Sequence, residues 1–145
     1  MLVSTKGRYA LRVMLELASH DREKFIPLKD IAKNQDISEK YLESIIKVLV
    51  KGEMVIGLRG KGGGYKLSRT PETYTVGSIL KLSEGPLAPV ACLNGNPADC
   101  ARYNECLTLP MWQGLNEVID NYLEGITLED LLKQSRDNTA GDYVI

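Results

Sequence analysis

The sequence predicts a mostly α-helical chain with one small β-hairpin. Three observations carry this. Apolar residues recur at helical spacing in both halves, two short strand-like runs flank a glycine-rich turn, and a late segment has an apolar face wide for one small domain to cover. With 145 residues, 43% of them hydrophobic, the chain can build one domain, or a small domain with an appendage.

The elements come in order along the chain. From Ser4 onward, Ala10, Leu11, Met14, Leu15, Leu17 and Ala18 predict a first helix ending near His20 and Asp21. After a loop containing Pro27, LKDIAKNQ is a short helix whose apolar residues are Leu28, Ile31 and Ala32. Asp36-Ile37-Ser38 is a turn, and Ser38 is the N-cap of a longer helix, SEKYLESIIKVLVKG, that Gly52 ends. In it Leu42, Ile45, Ile46 and Leu49 form the stripe facing a core. Two helices joined this tightly read as a helix-turn-helix. The second leaves Ser38, Lys40, Tyr41, Glu43, Ser44, Lys47 and Lys51 outward. Lysine suits phosphates, while Ser, Tyr and Glu can hydrogen-bond to base edges or phosphates in a major groove. Alone, such a face reads first as an ordinary solvated helix face.

The next segment decides. MVIGLRGKGGGYKLS gives two strand-like runs joined by Gly60-Lys61-Gly62-Gly63-Gly64, a hairpin turn. The run lacks the Gly-Lys-Ser/Thr ending of a phosphate-binding loop and leads into a strand, not a helix. A hairpin directly after a recognition helix is a wing, with Arg59 and Lys61 at its tip to reach a minor groove and its phosphates. Charge agrees: residues 1–70 carry a balance of +6 and residues 71–145 a balance of −7, so the first half is the one suited to a polyanion. A winged helix-turn-helix domain over residues 1–72 is expected.

Thr70-Pro71-Glu72 opens a second region, residues 73–145, expected to hold a ligand-binding loop and a dimerisation helix. Val76 to Ser83 is a short helix and GPLAPV an extended connector. After the cysteine-bearing loop, Leu107 to Glu124 is the longest helical pattern, with Met111, Trp112, Leu115, Val118, Ile119, Tyr122 and Leu123 on a broad apolar face. That breadth suggests burial against a second copy. Thr127 to Asp130 is a capping box opening a last short helix, TLEDLLKQS, and the tail DNTAGDYVI has no strong pattern and is expected to be loose.

Cys92, Cys100 and Cys106 are all the cysteines, separated by seven and five residues. Structural zinc favours closer pairs. Iron–sulfur ligation tolerates irregular spacing because a loop can wrap the cluster. The chain lacks a signal-peptide pattern and a long apolar run, so a cytoplasmic location without a membrane span is expected, where disulfides are rare. One histidine, and no activating neighbour for any Ser or Cys, make an enzyme the weakest reading.

STKGRYALRVML, SEKYLESIIKVLVKGEMV and GLRGKGGGYKLS closely resemble the Rrf2 family of winged-helix regulators, typified by IscR, NsrR and RirA. The resemblance runs over nearly the whole chain. It implies a dimeric transcriptional regulator that contacts double-stranded DNA through Ser38, Lys40, Tyr41, Glu43, Ser44 and Arg59, with a pseudo-palindromic operator. Glu43 matches a position that tunes which sites are accepted. The resemblance also implies an iron–sulfur cluster, two-iron or four-iron, on Cys92, Cys100 and Cys106. The family's usual fourth ligands are missing. A histidine is replaced by Leu109, and a carboxylate from the first helix of the second subunit is replaced by Arg8, which has no lone pair to offer. Asp99, Glu105, a small thiol or water remain for that position, so a labile cluster is expected. The connector EGPLAPV and the ending YVI resemble a CymR-like branch, which implies an alternative: control of cysteine or sulfur metabolism through thiol oxidation or a partner protein.

Overall fold

The computed structural model describes residues 3–95 and 100–142. Helix α1 spans Thr5–Ser19, α2 Leu28–Gln35 and α3 Glu39–Lys51, followed by strands β1 (Val55–Leu58) and β2 (Gly64–Leu67). Helices α4 (Val76–Glu84), α5 (Leu109–Glu124) and α6 (Leu128–Asp142) complete the order. This is the helix-rich winged architecture expected.

Local chemistry sets the boundaries. Ser38 Oγ accepts the Tyr41 N–H at 3.1 Å and starts α3. Asp36, at φ 53°, takes the left-handed conformation and returns its N–H to the Ala32 and Lys33 carbonyls, which stops α2 and makes the tight turn. Met14, Ile31, Leu42, Ile45 and Leu49 lose essentially all exposure, so the stripe on α3 faces the core. That core continues past residue 72, through Tyr74, Ile79 and Leu128.

The wing is an antiparallel pair with Val55 opposite Leu67 and Leu58 opposite Gly64. Its turn uses Gly60 and Gly62 at φ 92° and 78°, where a Cβ would be strained. A contact not foreseen from the sequence pins its second strand: Ile26 exchanges backbone hydrogen bonds with Tyr65 at 2.8 and 2.9 Å.

Two boundaries differ from expectation in the second half. Helix α5 begins at Leu109, not Leu107, with Pro110 in the first turn, where its missing N–H costs nothing. The capping box forms as expected, with Thr127 N–H on Asp130 Oδ2 at 2.9 Å and Asp130 N–H on Thr127 Oγ1 at 3.0 Å. The helix it opens is not short, however. It runs for 15 residues to Asp142, through the segment expected to be loose. Arg136 bonds Glu129 at 2.7 Å along it. Tyr143, Val144 and Ile145 lie outside the described residues. Among the described residues no helix is long and apolar enough to cross a membrane.

Tyr74 joins the two halves. Fully buried, its hydroxyl donates to the Met54 carbonyl at 2.7 Å and accepts the Arg69 N–H at 3.0 Å. Tyr74→Phe keeps the ring but takes the acceptor from the Arg69 N–H and one of two donors from the Met54 carbonyl, which keeps the Ser68 N–H at 3.2 Å. It is expected to cost about 1–3 kcal/mol, seen as a lower urea midpoint with an unchanged m value.

Candidate nucleic-acid interface and cysteine loop

The first turns of α3 present Ser38, Lys40, Glu43 and Ser44 to solvent, while Tyr41 is half-buried. The Tyr41 ring meets Tyr9 of α1 edge-on, with centroids 5.9 Å apart at 90°. Arg12 lies over the other side of this pair, 4.6 Å from the Tyr9 ring. Its guanidinium also donates to the Gln35 side chain at 2.9 Å and to the Gln35 carbonyl at 3.0 Å. Beneath it the buried Glu16 carboxylate accepts from the Asn34 and Gln35 side chains. Helix α1 therefore holds both the turn and the exposed start of α3. Periodicity places α1 only as a core helix; the polar side chains on its outer face carry no spacing signal.

Arg59 and Lys61 are exposed on the wing, as their place in the turn requires. Between α3 and the wing runs a groove of about 460 Å³ lined by Lys47, Val50, Lys51, Leu58, Arg59 and Tyr65. The fold thus brings Arg59 to the same groove as two lysines from the back of α3.

Helix α5 leaves Met111, Leu115, Val118 and Tyr122 exposed. Their spacing of four, three and four residues sets them on one face. On its covered side α5 meets α4, where the Lys81 ammonium bonds both Asp120 and Glu124, the latter at 3.0 Å. The Glu124 carboxyl is held below its usual range, first by Lys81 and then by Thr75, and the Lys81 ammonium is raised by Asp120 and then Glu124. The sign is ordinary: Glu124's contribution is present above the unfolded carboxylate pKa and fades as pH falls through its folded value. Exposures of 36–40% keep the pair screened.

Cys92, Cys100 and Cys106 are free and half-buried. Cys106 stands just before α5, its sulfur 3.3 Å from Thr108 Oγ1. Hydrogen bonds from the Thr108 hydroxyl, then from the Thr108 and Leu109 N–H groups, lower its thiol pKa. Leu109, at the position the resemblance gives to histidine, is buried. Arg8 is exposed and reaches Thr5 Oγ1 at 3.3 Å. Glu105 is exposed, and Asp99 lies outside the described residues. The donors fit an iron–sulfur cluster in kind: three free thiols, one biased toward thiolate. They are not gathered, because among the described residues no three His, Cys, Asp or Glu side chains are grouped to hold a metal ion.

The chain matches the Rrf2 family, described as iron-dependent transcriptional regulators, over residues 3–134. It is 36% identical over 135 residues to an HTH-type transcriptional regulator IscR of Vibrio atlanticus, spanning 93% of this chain and 77% of that one. It is 37% identical over 135 residues to protein rrf2 of Nitratidesulfovibrio vulgaris, spanning 93% and 89%. Among solved structures it is similar to CymR (YrzC), described as the global cysteine regulator of B. subtilis, with TM-score 0.75 and 36% identity over 92% of this chain and 98% of that one. It is also similar to T. potens IscR, with TM-score 0.74 and 37% identity over 93% and 88%.

Thr108→Ala removes the first of the groups that stabilise the Cys106 thiolate. In protein carrying Cys106 as its one cysteine, the rate of alkylation by iodoacetamide should rise with pH. The variant should shift that rise to higher pH and react more slowly near pH 7. Superimposable profiles would show that Thr108 does not set this thiol's reactivity.

Proposed function

From the premise that this chain belongs to the Rrf2 family of transcriptional regulators, we propose that it is a homodimeric DNA-binding regulator whose operator affinity depends on an iron–sulfur cluster held by Cys92, Cys100 and Cys106. The observation that carries this reading is the loop of three free thiols leading directly into α5, the helix with the bare apolar stripe. When bound, such a cluster would supply a centre sensitive to oxidants, whose loss alters the loop. Functionally the chain divides into a DNA-reading part, residues 1–72, and a sensing and dimerising part, residues 73–145, in a protein with no catalytic role.

Ser38, Lys40, Tyr41, Glu43 and Ser44 enter the major groove, with Glu43 able to accept from a cytosine amino group. Arg59 and Lys61 on the wing meet the minor groove and its phosphates, and dimerisation through α5 repeats the half-site about a two-fold axis.

A second reading keeps the DNA binding and replaces the cluster with thiol oxidation or a partner protein. The similarity to CymR and the ungathered sulfurs favour it. Replacing all three cysteines with serine separates the two, since regulation that survives excludes the cluster.

Two measurements test the proposal. Protein purified anaerobically, or reconstituted with iron and sulfide, should be brown with visible charge-transfer bands and should select a pseudo-palindromic site that the apo form binds with different affinity. A colourless product refutes the cluster. Arg59→Ala should weaken binding across sequences and reduce the slope of log affinity against log salt by about one if Arg59 meets a phosphate.

A further inference from the structure

We propose that Glu84, the last residue of α4, is a positioning residue that ties the cysteine loop to the DNA-reading end of α3. The inference rests on the switch proposed for the cluster and supplies its route. Glu84 Oε1 accepts the Ser4 N–H at 2.9 Å and the Gly7 N–H at 3.1 Å, and takes a third hydrogen bond from the Ser4 hydroxyl. Ser4 is the N-cap of α1, so a carboxylate from a distant helix completes the cap and also opposes the positive end of the helix dipole. Gly7 is buried under that carboxylate, and a Cβ there would collide with it.

The next two turns of α1 make this contact relevant to recognition. Tyr9 carries the edge-on contact to Tyr41, and Arg12 extends it to Gln35 at the turn. The same last turn of α4 sets Leu82 on Gly52, the residue that caps the other end of α3. In the same turn Lys81 is bonded to α5. Beyond Glu84 the chain turns at Gly85, with φ 83°, into the connector that reaches Cys92. A change in the loop that rotates this turn must therefore alter the α1 cap and, through Tyr9, the seat of Tyr41. Contiguous contacts alone do not establish coupling, so the test measures coupling itself.

Selected operator DNA is titrated with protein loaded with iron and sulfide and with protein stripped by chelator and kept reduced. The ratio of the two Kd values is the readout, expected in wild type within the usual range of about 5–150-fold. Glu84→Ala and Gly7→Ala should bring it to within about twofold of one. Glu84→Gln, which keeps the accepting oxygen, should restore it. Hydrogen exchange at the Gly7 amide in wild type should differ between loaded and stripped protein. The proposal is overturned if both alanine variants keep the wild-type ratio. If they fold too poorly to assay, equal Gly7 exchange in the two wild-type states overturns it. A wild-type ratio of one is a separate failure, since it removes the switch before any variant is compared.

Discussion

A glutamate carboxylate at the end of α4 accepts three hydrogen bonds at the head of α1, and two residues before it a leucine seats on the glycine that caps α3. In both contacts the α4 side chain occupies the space where a Cβ on the facing glycine would sit, so the two glycines admit these side chains. Much of the arrangement depends on these contacts. Helix α4 can then bury Ile79 and Leu80, and α5 can lie along its far side. The unpaired N–H groups of a helix start are costly in a partly buried place unless something accepts from them. Here a second acceptor comes from nearly eighty residues away in sequence, so tertiary structure completes a start that the Ser4 side chain also caps locally.

The face that reads DNA in the proposed function is held from behind with little flexibility. Tyr41 is braced by Tyr9, the turn before it by Arg12 and the buried Glu16, and the second strand of the wing by Ile26. The groups left outward on α3 and the wing are mostly charged side chains in solvent, and Ser38 is already engaged as the cap of α3. A rigid back and a solvated front lower the entropy lost when a polyanion docks, because few side chains near the backbone have to be ordered. Ser44 is a partial exception: its hydroxyl already donates to the Tyr41 carbonyl at 2.6 Å, which leaves it chiefly an acceptor toward a base.

Helices α1 to α3 and the wing were legible because each is announced locally, by a 3.6-residue stripe, a capping serine or a run of glycines. The stripe Leu42, Ile45, Ile46 and Leu49 is buried as its spacing required. The length of α6 was not legible. Its second half, SRDNTAGD, has no apolar period, and Ser135 to Thr139 are exposed, so its helix arises from continuity with a capped first turn and from polar contacts such as Thr139 to the Ser135 carbonyl at 2.9 Å. The buried Glu16 gave no signal because its partners, Asn34 and Gln35, belong to another helix. For the site, the identity of the exposed side chains could be read from the sequence, but what braces them could not.

The cysteine loop shows the same limit. Three thiols in a chain segment reveal donor chemistry, while convergence is a property of three dimensions and of whatever they bind. Here the loop is tethered on both sides. Asn94 accepts the Ala88 N–H at 3.2 Å near Cys92, and Cys106 is bonded to Thr108 at the head of α5. Among the described residues the three sulfurs do not form a group that could hold a metal ion. A cluster held by all three would have to draw them together. The connector begins at Gly85, next to Glu84, and the far end of α5 meets α4 where Asp120 and Glu124 bond Lys81. Both routes end on the last turn of α4. The last turn of α4 is thus where the proposed link between the loop and the recognition helix would act.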